Sequence, residues 1–321
     1  MPFLNKPIIG TILVTGCGGD IAESILKILK KENVASKIIG TDIYENHAGK
    51  YLFDHFFKIV PASDKNYFDT LGKIICDNNV DILIPTSEAE IKKFCEASLL
   101  ENFHGARLLM TNRQTINIGL DKYAVYQFLK KNGLPYAWTK LVSEGLPKEI
   151  PCILKRRFGQ GSKGLTIVNN VKLAQYYYET RPKDIWQELL EPAQEEYTCG
   201  VYKCRNGEIR SIIIKRQLAG GLTKSGEVVQ DNTIKELINK VVRSLNVRFM
   251  SNIQLRVTDK GPVIFDINPR FSSTVFFRHL LGFQDLLWSI MEIQDMDIPN
   301  YRPTRPGIKF YRLSKEFIVT N

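Results

Sequence analysis

From Ile8 to about residue 110, short β-branched apolar runs alternate with stretches whose apolar residues recur every three or four positions. Ile8–Thr15 is short, β-branched and followed by a glycine cluster, which predicts a buried strand. Over Ile21–Lys31, the residues Ile21, Ile25, Leu26 and Leu29 share one helical face. Lys37–Thr41 and Phe56–Val60 predict strands, Tyr67–Asn78 a helix, Val80–Pro85 a buried strand and Glu88–Leu100 a helix. This rhythm predicts a parallel sheet with helices on both faces.

The pattern changes near Thr111. Helical spacing over Thr115–Asn132 stops at Gly133-Leu134-Pro135. Residues 143–150 read as a loop. Strand-like runs then dominate: Cys152–Lys155, Leu165–Val168, Ile185–Glu188, Glu196–Lys203 and Ile209–Lys215. Asn232–Leu245 predicts a helix, and Ser251–Val257 with Pro262–Ile267 predicts a hairpin about Asp259-Lys260-Gly261. Leu280–Glu292 predicts a last helix, and Lys309–Arg312 and Phe317–Val319 extended chain. The expected fold class is α/β with α+β: a Rossmann-like parallel-sheet domain at 1–110, then a strand-rich domain at 111–321 with a lid at about 143–188.

Composition narrows the function. A chain of 321 residues with 44% apolar and 24% charged residues is globular and long enough for two domains. Lys and Arg number 44 against 34 Asp and Glu, a net charge of +10. The basic residues are spread out, with no basic tail or basic-aromatic stripe, so an anionic small substrate is favoured over nucleic acid. No apolar run approaches the ~20 residues that span a bilayer, and no leader pattern is read at the start. The six cysteines form no CxxC pair and the four histidines no metal-ligand spacing, which argues against zinc and for reduced thiols in a cytoplasmic protein.

Thr15-Gly-Cys-Gly-Gly-Asp-Ile-Ala22 follows a strand and opens a helix, so its backbone amides can approach an anion. Asp42 ends the second strand, where a dinucleotide-binding fold places its ribose acid. Tyr136 and Lys140 even have the spacing of short-chain dehydrogenases. An NAD(P)-dependent oxidoreductase or epimerase is therefore one reading. Against it, Ile21 stands where a strict GxGxxG needs its third glycine, and Pro135 makes the Tyr136 segment extended. The other reading of this edge is an acceptor-substrate pocket drawing on Gly18, Gly19 and Asp42, with Ser87 and Glu88 after the strand ending at Pro85.

The second half carries more chemistry. A strand ends at Lys155, and Gly159, Gly161, Ser162 and Gly164 follow before the next strand. Such a glycine hairpin can fold over a polyphosphate while lysines neutralise its oxygens. Gln187-Glu-Leu-Leu190 leads to Glu196, a strand acid able to accept hydrogen bonds from ribose hydroxyls or the adenine amine. Gln254, Asp266 and Asn268 converge if their strands pair, and Asp266 and Asn268 share a strand face. Oxygen ligands of this kind suit Mg²⁺. Arg270 adds a fixed cation for phosphoryl charge. Lys215, Arg216 and the segment Ser272, Ser273, Thr274 are candidates to hold a carboxylate or acyl phosphate.

Taken in order, Leu120-Asp-Lys-Tyr123, Ile153-Leu-Lys155, Gln187-Glu-Leu-Leu190, Glu195-Glu-Tyr-Thr198, Asn252-Ile-Gln254 and Asp266-Ile-Asn-Pro-Arg270 resemble the ATP-grasp superfamily. The resemblance is to the branch with the carbamoyl phosphate synthetase large subunit, biotin carboxylase and the pyrrolysine-biosynthesis ligase. It implies a pre-ATP-grasp domain followed by an ATP-grasp fold. It implies that Lys122 and Lys155 contact ATP phosphates, Glu188 and Leu190 with their neighbours Gln187 and Leu189 lie at the adenine, and Glu196 at the ribose. It further implies Mg²⁺ (or Mn²⁺) at Gln254, Asp266 and Asn268, with Arg270 steadying an acyl phosphate. The second-strand acid, usually Glu in the family, is Asp266 here.

The expected function is thus an ATP-dependent carboxylate–amine ligase using small-molecule substrates, with neither nucleic acid nor membrane as partner. The resemblance also allows a homodimer. A nucleotide-binding homologue without catalysis is the alternative within the same fold.

Overall fold

The structure is a computed structural model and describes residues 7–159, 164–313 and 316–319. The first sheet is built from β1 (Ile9–Thr15), β2 (Ala35–Asp42), β3 (His55–Lys58), β4 (Ile82–Ile84), β5 (Asn102–Phe103) and β6 (Ala106–Leu108). Four helices alternate with its strands: α1 (Asp20–Lys31), α2 (Gly49–Leu52), α3 (Tyr67–Asp77) and α4 (Glu88–Glu96). β1 is buried at every position but Gly10, as a strand covered on both faces must be. In α1, acids occupy the first turn and lysines the last, matching the helix dipole.

The strand order is β3-β2-β1-β4-β6-β5, parallel throughout except the short β5–β6 pair. The order reverses between β1 and β4, which opens a crevice at their carboxyl ends. Buried Glu90 braces the crevice floor. It accepts hydroxyl hydrogen bonds from Thr15 (2.6 Å), Tyr67 (2.7 Å) and Ser87 (2.7 Å), tying β1, α3 and the start of α4 together.

Instead of the single helix expected over Thr115–Asn132, the chain forms α5 (Arg113–Gly119) and α6 (Lys122–Lys131). Asp121 is the cause. It caps α6 by accepting from the Tyr123 amide (2.9 Å), and its two oxygens take the Arg157 guanidinium at 2.6–3.0 Å. Lys122 is thereby set on the first turn of α6.

A small antiparallel sheet follows, made of β7 (Thr139–Leu141), β8 (Cys152–Arg156), β9 (Thr166–Val168) and β10 (Asp184–Glu188), in the order β7-β10-β8-β9. α7 (Val171–Thr180) covers it. α7 was not anticipated, because only Ala174 of its residues is buried and the apolar stripe is faint.

The largest assembly is an antiparallel sheet of β11 (Glu196–Lys203), β12 (Ile209–Ala219), β13 (Leu222–Val229), β14 (Phe249–Thr258), β15 (Gly261–Asn268) and β16 (Lys309–Tyr311). Its helices are α8 (Asn232–Ser244), α9 (Val275–Leu280) and α10 (Asp285–Ile293). β12 continues past the expected end at Lys215 and turns at Gly220-Gly221, with φ of +58° and +79°. Two consecutive positive φ values make a tight hairpin that glycine permits. β13 escaped the sequence reading because Thr, Lys, Ser, Gly and Glu interrupt its apolar pattern.

The expected helix Leu280–Glu292 begins five residues later, as α10, and an unexpected α9 precedes it. Gly282 has φ +88°, and the Phe283 amide donates back to the Arg278 carbonyl (2.9 Å), a glycine-terminated helix end. α1, α9 and α10 share one core with β1 and the large sheet, which brings the start of α1 towards the large sheet.

Candidate active site

A cavity of about 720 Å³ lies between the small sheet and the large one. Strands β8, β10, β11, β12, β14 and β15 line its walls, and Asp20 and Ile21 of α1 reach one end. Six cationic side chains (Lys122, Lys155, Arg156, Arg216, Arg256 and Arg270) line it against four acids (Asp20, Glu188, Glu196 and Asp266). That surplus of positive charge suits a polyanion.

Lys155 is buried on β8, with Nζ 3.5 Å from the Phe265 carbonyl oxygen and 5.8 Å from the centre of its ring. Burial pushes its ammonium down to about 8, against the opposing pull of Asp266. A weakly solvated cation like this gains most from an anion entering the cavity. Lys122 reaches across from α6 and donates to the Gly159 carbonyl. Gly159, with φ +101°, lines the cavity. Gly164 lies off the lining and its carbonyl accepts from Arg181 (3.0 Å). Gly161 and Ser162 fall outside the described residues.

At the far end of β10, Glu188 and Leu190 line the cavity while Leu189 does not. Glu188 accepts from the Trp138 amide (3.0 Å), and the Gln187 amide nitrogen donates to Thr139 Oγ1 (3.1 Å). Glu196 is buried between two guanidinium groups. Arg216 donates to Oε1 (2.8 and 3.1 Å) and Arg256 to Oε2 (2.8 Å). A carboxylate has about four acceptor positions, so with these three bonds Glu196 keeps about one for a ligand hydroxyl.

The β14–β15 register places Gln254 opposite Asp266 and Asn252 opposite Asn268. Asn268 Nδ2 lies 3.4 Å from Asp266 Oδ2, as residues two apart on one face should. Both residues line the cavity, and Asn268 Oδ1 is not engaged in that hydrogen bond. Gln254 Oε1 accepts from Arg216 (3.0 Å), so a cation there would use the second lone pair of that oxygen. Hard oxygen donors with one carboxylate fit Mg²⁺, which also keeps water and phosphate oxygens.

Arg270 is buried beyond this hairpin and donates to Glu88 Oε1 (3.1 Å), the first residue of α4. Glu88 therefore brings the crevice of the first sheet to the end of the cavity. Ser272 Oγ and Thr274 Oγ1 lie 2.6 Å apart, and these two line the cavity with Ser273.

Five other candidates are placed elsewhere. Lys215 points away from the cavity and pairs with Glu195, which also accepts from Tyr197 OH; the Lys215 hydrogen bond is the main reason the Glu195 carboxyl sits below its ordinary value. Ser87 caps α4, accepting from the Glu90 amide. Asp42 accepts from the Gly18 amide (2.9 Å) and the Tyr44 amide (3.0 Å), so it braces the glycine turn. Gly18 and Gly19 sit in that turn, and the His47 ring covers Gly18: a Cβ there would lie 2.8 Å from His47 Cγ.

Cys17, Asp42 and His47 form a tight group whose polar atoms lie within 4.8 Å of one another. The His47 ring nitrogens meet the Lys50 amide and the Tyr44 carbonyl, and burial, with Asp42 beside it, pushes the Cys17 thiol up to about 12. A thiol held neutral is a poor metal ligand. Sequence reading missed Arg256, Phe265 and the Gly220-Gly221 turn as cavity residues. The turn alone left a signal, a Gly-Gly pair between two extended runs.

Residues 119–274 match the family model described as an ATP-grasp domain, and residues 12–108 match the PylC-like N-terminal domain. Residues 119–274 are an ATP-grasp domain. A relative is an uncharacterised protein of Methanocaldococcus jannaschii, 28% identical over 214 residues, 64% of this chain and 54% of that protein. The chain thus spans about half the length of that curated relative. Among solved structures, N5-carboxyaminoimidazole synthetase from Staphylococcus aureus complexed with ADP is similar at TM-score 0.72 and 19% identity, covering 95% of this chain and 83% of that one. Biotin carboxylase from Campylobacter jejuni is similar at TM-score 0.68 and 14% identity, covering 94% and 74%. At these identities the likeness shows the fold. Among the described residues, no helix is long and apolar enough to cross a membrane.

Proposed function

We propose that the protein is an ATP-dependent carboxylate–amine ligase. The observation that carries this reading is that one cavity joins the Lys122–Lys155 pair, the Gln254–Asp266–Asn268 oxygens and Arg270. In this reading residues 1–110 present the acceptor and 111–321 clamp the nucleotide, with the lid at about 143–188.

A substrate carboxylate oxygen attacks the γ-phosphorus of ATP, and the bond to the bridging oxygen of ADP breaks. The product is an acyl phosphate. An amine nitrogen then adds to the acyl carbon, loses a proton, and inorganic phosphate leaves as the amide forms. Phosphorylation is needed because oxide is too poor a leaving group for direct aminolysis. The chain contributes position and charge. Lys122 and Lys155 hold phosphate oxygens, Glu188, Leu190 and Glu196 take the nucleoside, and Arg270 faces the transferring group, assisted by Arg216. Asp266 and Asn268, with Gln254, would hold Mg²⁺, which supplies neutralisation of phosphate charge. Ser272 and Thr274 offer hydroxyls where the carboxylate would lie, and Glu88 reaches the same end from the acceptor side.

The test is ADP release from MgATP across a panel of carboxylic acids paired with amines. The expected result is release for at least one pair, lost in Arg270→Ala while MgADP still binds. Absence of MgADP binding, or full turnover by the Asn268→Ala, Arg270→Ala double variant, overturns the reading. Binding without release for any pair would favour a nucleotide-binding homologue that does not catalyse.

A further inference from the structure

Glu196 needs only one cation to balance it, yet two arginines hold it. The second, Arg256, does something the first does not. Arg256 stands directly opposite Glu196 in the β11–β14 register. Its Nη2 donates to Glu196 Oε2 (2.8 Å) and its Nη1 donates to the Leu190 carbonyl (2.5 Å). Leu190 follows the last strand of the small sheet, and Glu196 opens the first strand of the large one. A single guanidinium therefore bolts both ends of the segment that joins the two walls of the cavity. Its side chain is 17% exposed, so both bonds form in poorly solvated surroundings where each is stronger than in water. The planar fork fixes the separation of the two acceptors, which a single-point ammonium does not do.

We propose that Arg256 is a positioning residue of the nucleotide pocket, setting the Leu190 backbone and the Glu196 carboxylate at one fixed separation so that they receive base and ribose together. The inference rests on the ATP reading above and adds a division of labour. Arg256 governs affinity for the nucleoside half, whereas the lysines govern the phosphate half.

The test compares MgADP with magnesium tripolyphosphate, which lacks base and ribose, by calorimetry on the full chain. The wild type should bind both. Arg256→Gln should weaken MgADP by about 10- to 100-fold, the worth of hydrogen bonds to charged groups, and should narrow the preference for ADP over GDP. Tripolyphosphate affinity should fall far less than MgADP affinity, because Arg256 is only one of six cations lining the cavity and its charge is already engaged by Glu196. Arg256→Lys keeps the charge beside Glu196 but not the fork, and should recover only part of the MgADP affinity. Equal losses for both ligands would mean a general structural role and overturn the proposal, as would no loss for either. Full recovery by lysine would also overturn it. If Arg256→Gln does not fold, the Arg256→Lys comparison of the two ligands decides alone. A wild type that binds tripolyphosphate but not MgADP removes the nucleotide reading itself, an outcome distinct from a variant that behaves like the wild type.

Discussion

With Lys155 on the phosphates, as proposed, nucleotide binding becomes a proton-linked event. Burial lowers its ammonium from 10.5 to about 8 in the nucleotide-free protein. A shift of that size corresponds to roughly 3 kcal/mol of strain on the charged form. A lysine depressed in the folded state costs stability in full below about pH 8, and that cost disappears as pH rises through 8 towards 10.5. A bound polyphosphate reverses the balance, because its oxygens favour the ammonium. Binding should therefore draw about 0.1 proton at pH 7 and about 0.9 at pH 9, and MgADP affinity should weaken about tenfold across that range. The nucleotide's own phosphates have lost their protons by then, since their second pKa is near 6. Calorimetry in two buffers of different ionisation enthalpy reads the proton uptake directly. In Lys155→Met the pH dependence should vanish, binding should be weak throughout, and the nucleotide-free protein should melt higher at pH 7. A flat affinity from pH 7 to pH 9 with no buffer-dependent heat would refute the assignment of Lys155 to the phosphates.

Asp121→Ala removes the cap of α6 and the partner of Arg157, so urea unfolding should show a loss of about 1–2 kcal/mol, and MgADP affinity should fall with the displacement of Lys122. Asp285→Ala leaves Arg278 charged and buried, with Asn252 as its remaining hydrogen-bond partner, and should cost about 3–5 kcal/mol in the same assay. A loss below one kilocalorie would show that water reaches the site. Glu88→Ala should leave MgADP binding intact and raise the acceptor KM once an acceptor is known. An unchanged KM removes Glu88 from the acceptor end.

The sequence alone determined many of the elements and which side chains were candidates for the site. Apolar runs such as Ile9–Thr15 and amphipathic stretches such as Asp20–Lys31 carry their structure locally, because burial on two faces or one dictates the spacing of their side chains. Lys155, Gln254, Asp266, Asn268 and Arg270 could be singled out because their residue types limit what they can do, and the fold brings all five to one cavity. Tertiary structure decided the rest. The breaks at Asp121 and Gly282 depend on partners and backbone angles that no periodicity reports. The capture of Asp42 by the Gly18 and Tyr44 amides, and of Lys215 by Glu195, depends on which neighbour reaches a charge first. Arg256 and Glu196 are sixty residues apart and meet only because two strands pair in one register, where a slip of one residue would turn each to the opposite face.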